Sequence, residues 1–219
     1  MPYYLYLNIF SELSAVILGT VFIKKLEKKF IFLYVFVSIA LVTEVLLHLL
    51  SRFGVTNTLP GTHIYGPIEF LLLALVYYHH FYKSKIAKWI IVFIVLFELY
   101  CIVNPFFIQT IYDYSATRSV SSLILVLFSI LYFHKVMIET NIRKLSTEPM
   151  VWINTAVLLY FSANLFYNIL FMMILEYSRE FSKLVNIYFT VFNVGFYILI
   201  AIGFWKAGKY HKSNKRLVN

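Results

Sequence analysis

Glu12, Glu44, Glu69 and Glu98 each stand inside a long apolar stretch of this chain. A charged side chain at the centre of a membrane helix costs about 2.5–3.5 kcal/mol on insertion scales, so such residues usually face a bundle interior and mark function. Three amides, Asn164, Asn168 and Asn193, occupy comparable positions in later stretches. A helix rises about 1.5 Å per residue, which puts Glu69 about 8 Å below the outer end of its span and Glu44 about 9 Å. The same rise puts Asn168 at about 11 Å, and Glu12, Glu98 and Asn193 at about 14 Å. Asn164 comes out at about 16 Å, near the midplane. Glu44 and His48 are four apart and share a helix face, as do Asn164 and Asn168. The expected chemistry is an acidic cavity that takes a small cationic or amine-bearing solute, a proton or a metal ion. Arg118, Ser122 and Asn186 are expected at its rim, with Arg118 in reach of Glu69 or Glu98. The competing reading is interhelical hydrogen-bond glue, with burial disfavouring the charged carboxyls. Four carboxyls at similar depth, without an intramembrane Lys or Arg to neutralise them, favour the cavity.

The elements that must hold these residues are helices. Seven apolar stretches run over Tyr3–Phe22, Phe30–Leu50, Ile64–Tyr82, Ala87–Phe107, Ser119–Met137, Met150–Leu175 and Leu184–Trp205. Each is long enough for a helix that crosses the hydrocarbon core, about 30 Å thick. The basic residues between them alternate in side. Only Arg52, Arg118, Arg179 and Lys183, four of 19, fall on the side where the chain starts. The others cluster after spans one, three and five and in the tail, so the positive-inside rule predicts an N-terminus outside and a C-terminus in the cytoplasm, in the plasma (inner) membrane. The fold class expected is therefore an all-α bundle of seven transmembrane helices.

Composition agrees. The chain of 219 residues is 61% hydrophobic and 20% aromatic, with a mean hydropathy of +0.80. One domain, 1–219, is expected, and the seven spans leave no room in it for a soluble module. The net charge of +9 is spread over the cytoplasmic edges, so anionic lipid headgroups are the expected partners there and nucleic acid is not. The single Cys101 lies in the fourth span and has no partner for a disulfide within the chain. The first span has its lysines after it rather than before it, the reverse of a cleavable signal, so it is expected to be retained. Aromatic residues at the span ends read as interfacial anchors. The segment Ser51–His63 reads as the longest outer loop, with Gly54, Asn57, Pro60 and Gly61. Pro67 and Pro105 lie near outer span ends, where a missing amide bond is cheap and can open a helix toward a ligand.

The polar positions also suggest an internal repeat. An offset of 110 residues sets Ser11–Lys25 on Ser121–Lys135. An offset of 120 sets Glu44 on Asn164 and His48 on Asn168. Spans three and seven then match with Glu69 on Asn193 and Lys85 on Lys209. Residues 3–85 and 113–209 would be two triplets, with 86–112 as a linker helix and 210–219 as a basic tail. Parallel repeats about an axis along the membrane normal are a transporter design, with the site between the halves.

In this three-plus-one-plus-three order the chain resembles the SWEET sugar transporters and their PQ-loop relatives. That resemblance implies substrate-lining positions at Glu69 and Asn193. No Pro-Gln dipeptide occurs, and Glu in place of an amide argues against a neutral sugar. In size and topology the chain is also similar to microbial rhodopsins, which hold retinal on a Lys in span seven. Here that span has no Lys before Lys206, so retinal is not expected, nor is any other cofactor. The whole chain has the texture of small seven-helix bacterial membrane proteins.

Catalytic constellations are weak. His79, His80 and His134 lie near cytoplasmic span ends and read as polar anchors rather than as haem or metal ligands. Asp113 is the only Asp, no His pair stands at metal-ligand spacing within a span, and no Gly-rich elbow frames a serine. No catalytic residue is assigned. The repeat favours a transporter. A receptor-like sensor signalling through a cytoplasmic partner protein is the alternative, and an intramembrane enzyme acting on lipid is the third reading.

Overall fold

The computed structural model describes residues 3–55, 57–108, 110, 116–139, 145–177 and 179–217, without the side chains of 3–5, 139, 171–177, 179, 180, 182, 183, 186 and 210–217. Among these residues the secondary structure is helical, with no strand. Seven long helices form, α1 (Tyr3–Phe22), α2 (Lys28–Arg52), α3 (Leu59–Phe81), α4 (Ile86–Phe107), α5 (Thr117–Glu139), α6 (Pro149–Tyr177) and α7 (Arg179–Leu217). Every one is long and apolar enough to cross a membrane.

Hydrocarbon offers the backbone no hydrogen-bond partners, so a chain this apolar satisfies itself within helices. The polar punctuation sets the ends. Helix α2 stops in a Schellman turn: Val55 N–H bonds Leu50 C=O at 3.1 Å and Gly54 N–H bonds Ser51 C=O at 3.3 Å. Gly54 takes the left-handed conformation that this turn needs, with φ of +92°. The loop after it is shorter than expected. Helix α3 starts at Leu59, whose N–H is bonded by Asn57 Oδ1 at 2.9 Å, and Pro60 and Gly61 belong to its first turn. Proline fits there because the amide it lacks would have no partner in a first turn. Helix α7 is longer than its expected span, with 39 residues, and runs past the spanning window Ile187–Lys209 at both ends.

The helices pack in sequence as a ring. Helix α1 lies against α2 and α7, α2 against α3, α3 against α5, α5 against α6, and α6 against α7. Helix α4 braces α3 and α5 and is the least buried of the seven spans. Apolar side chains such as Phe10, Val42, Ile102 and Phe106 cover the outside. The interior is aromatic, with Phe70 and Phe161 buried near mid-bundle and Phe30, Phe36, Tyr77, Phe81 and Phe204 buried toward the lysine-rich end.

One polar knot crosses this aromatic core. Tyr77 of α3 donates its hydroxyl to Asn154 Oδ1 of α6 at 2.6 Å. Asn154 Nδ2 donates to Ser129 C=O of α5 at 3.1 Å, and Ser129 Oγ donates back to Asn154 C=O at 3.2 Å. Three helices are joined through one amide, the use of buried polar groups expected where lipid gives no hydrophobic drive for helix association.

Candidate functional site

At the end of the bundle opposite the lysine clusters, six helices line a cavity of about 220 Å³. Helix α1 supplies Asn8 and Glu12, one turn apart. Helix α2 supplies Thr43, Glu44 and Leu47 over Ala40. Helix α3 supplies Tyr65 and Glu69 on one face, with the helix proline Pro67 between them. Arg118 reaches in from the first turn of α5, Tyr160 from α6, and Phe189, Thr190, Asn193 and Tyr197 from α7.

Their chemistry is paired. Arg118 is an electrostatic neighbour of Glu69, and Glu44 of Glu12. The Tyr197 hydroxyl donates toward the Glu12 carboxyl, and Tyr65 stands near Glu69 and Tyr160. Tyr160 is locked by its ring, stacked on Phe196 with centroids 4.6 Å apart. The floor is apolar: one turn below Ala40 and Asn193 stand Phe36 and Phe196, in edge contact at 6.0 Å. Glu12 is only 3% exposed, yet its Oε2 has no hydrogen-bond partner among the described residues, and neither has Asn8 Oδ1 beside it. Three carboxyls meet one guanidinium, so the cavity carries an excess of acid over base.

The sequence-derived site thus divides. Glu12, Glu44, Glu69, Asn193 and Arg118 come together around one cavity. His48 does not line it but sits behind Glu44 as its electrostatic neighbour. Asn164 and Asn168 are buried on α6 without lining it. Ser122 is buried and donates its hydroxyl to Arg118 C=O at 2.8 Å, so it supports the backbone that carries the arginine. Glu98 belongs elsewhere: it lies on bracing helix α4 next to Cys101, and Arg118 turns to Glu69 instead. The side chain of Asn186 lies outside the described residues. Sequence reasoning missed Asn8 and the three tyrosines 65, 160 and 197. The signal available was spacing: Asn8 precedes Glu12, and Tyr65 precedes Glu69, by one helical turn.

Among the described residues, no group of three His, Cys, Asp or Glu stands close enough to hold a metal ion. Fold and cavity together define an integral membrane protein with seven spanning helices and a polar chamber at one end. No family model matches the chain, and neither a curated protein nor a solved structure matches it significantly.

Proposed function

We propose that this protein binds a small organic cation or a proton and carries it across the membrane. The observation that supports this reading is the convergence of Glu12, Glu44 and Glu69, from three helices, with three tyrosines on one cavity. Tyrosine faces attract cations, and desolvated cation–π contacts contribute about 2 kcal/mol. A cation or a proton balances the excess of carboxyls over Arg118. The volume lies below the roughly 300–1,000 Å³ of pockets for drug-sized ligands, which suits a small amine rather than a peptide or oligosaccharide. The absence of a metal-ligand group among the described residues favours an organic cation over a metal ion. The positive-inside rule makes the cavity outward-facing, and the polar repeat supports alternating access. Within the spans, the matched pairs Glu44 and Asn164, His48 and Asn168, and Glu69 and Asn193 are all buried or half-buried.

A sensor is the second reading, favoured by one feature. Helix α7 lines the cavity through Thr190, Asn193 and Tyr197 and continues unbroken to Leu217, beyond the membrane. Such a helix can report occupancy to a cytoplasmic partner.

The test is a thermal-shift screen of the purified protein with alkylammonium ions, followed by uptake of the best binder into proteoliposomes with and without a pH gradient. Wild type and Glu98→Gln should bind alike. Glu12→Gln and Glu69→Gln should stay folded and lose at least about tenfold in affinity, the loss of one charged contact. Binding without uptake moves the reading to the sensor. Stabilisation by neutral or anionic solutes alone, or full affinity in both variants, overturns it.

A further inference from the structure

The lysine-rich end of the bundle holds a second hollow, of about 710 Å³, between the ends of α3 and α5 and the start of α4. Its polar lining is His79, His80, Lys83, Ser84, His134 and Lys135, and among the described residues no carboxyl lines it. The donors are held in place. His79 stacks on Phe32 with centroids 5.1 Å apart, and His80 meets Tyr132 edge-on at 4.9 Å. Lys135 Nζ lies 5.2 Å above the Phe81 ring. Ser84 Oγ accepts the Ile86 N–H at 3.3 Å, which holds the hydroxyl at the hollow. Lys28 and Lys29 of α2 lie close enough to His79 and His80 to add to the positive field, although Lys29 also pairs with Glu27 at 2.9 Å.

Lysines at helix C-termini complement the helix dipole and set orientation, which accounts for Lys83 and Lys135 taken singly. It does not account for three imidazoles and two ammoniums lining one hollow where, among the described residues, no carboxyl lines it. The imidazoles do not form a metal site with one another. We infer that this hollow binds the phosphate of one anionic phospholipid headgroup, with Lys83 and Lys135 as charge partners and Ser84 and the imidazoles as hydrogen-bond donors. Basic pockets between helix ends on the cytoplasmic side are suited to such headgroups. The rim argues for a lipid over free phosphate. Tyr82 and Ile138 are exposed apolar neighbours of the basic groups, placed where the glycerol and acyl chains of an amphiphile would follow its phosphate.

Native mass spectrometry of the whole protein, released from detergent with phosphatidylglycerol, phosphatidic acid or phosphatidylcholine, tests this. One anionic lipid per chain should be retained, and phosphatidylcholine should not. Lys83→Gln with Lys135→Gln should weaken retention about thirtyfold, two lysines each at the strength usual on an anionic surface. Lys24→Gln with Lys25→Gln, equal in charge but away from the hollow, should leave it unchanged. A thermal melt of each variant confirms folding. Equal loss in both double variants, or none in either, overturns the site. Displacement by millimolar inorganic phosphate would overturn the lipid in favour of a free phosphate.

Discussion

Asn154 and Glu12 are both buried polar residues at a helix interface, and their partners separate structure from site. Every hydrogen-bonding group on the Asn154 side chain is engaged, by Tyr77 and Ser129. Among the described residues, Glu12 keeps one oxygen, and Asn8 its carbonyl oxygen, without a partner beside a cavity. Tyr77→Phe should therefore lower resistance to unfolding in detergent by about 1 kcal/mol, a typical interhelical hydrogen bond, and leave cation binding intact. Glu12→Gln should do the reverse. Outside the membrane, Glu148 is half-buried before α6, and burial raises its carboxyl from its ordinary value despite the nearby Lys29. A carboxyl raised on folding favours the folded state when protonated and loses that contribution as pH rises through its folded value. Glu148→Gln should thus equal wild type in melting temperature at acidic pH and exceed it above the carboxylate range; a gap that narrows with pH refutes this. Depth was readable from the sequence because helix rise is constant, so Glu12, Glu44 and Glu69 were set at compatible heights. Azimuth was not readable for Glu98. Helix α4 is apolar all round, and no polar face fixed its rotation or showed that it braces the ring from outside. The cavity tyrosines were hidden by their chemistry, since tyrosine near a span end reads first as an interfacial anchor.

Helix existence was legible because each span is a long apolar run between basic or turn residues. The bounds of α1 match expectation, whereas α3 begins five residues early because Pro60 starts a helix as readily as it breaks one. How closely two helices approach is set by single small residues. A Cβ on Gly208 would overlap the Phe22 ring, so this glycine lets α7 reach α1 near the lysine-rich end. Gly195, higher on the same helix, faces open space. Gly208→Leu should wedge α7 from α1 and lower stability by about 1–3 kcal/mol, the range for overpacking. Gly195→Ala should be neutral or stabilising, since alanine favours the helix. Melting temperatures in one detergent decide it, and equal effects at the two glycines would mean that α1 and α7 do not depend on that approach. Because α7 lines the cavity higher up, Gly208→Leu should also weaken cation binding.

At the scale of the molecule, the ring joins two chemistries of opposite sign. The acidic cavity lies among the starts of α1, α3 and α5 and the end of α2, and the lysines lie at the other ends of the same helices. Sequence alone carried this polarity, because lysine placement and glutamate depth are both counted along the helices. The ring does not decide the repeat read from the polar positions: consecutive helices give each triplet the same neighbour order whether or not the halves are related. Orientation decides what the cavity can do. With the lysines in the cytoplasm, the three carboxyls face the outside and meet a solute before it enters. Single cysteines in a Cys101→Ala background read this directly. Asn57→Cys sits in the described α2–α3 loop at the cavity end, and Lys24→Cys sits at the lysine-rich end. In intact cells a membrane-impermeant maleimide should label Asn57→Cys, and should label Lys24→Cys only after permeabilisation. Reversed labelling would open the cavity to the cytoplasm. It would also set the lysines against the outer leaflet, where the surface potential that holds an anionic headgroup is weakest. The reversed pattern therefore refutes the uptake reading and removes the favoured setting for the lipid site. The expected pattern leaves the two sites facing the two compartments whose chemistry each fits.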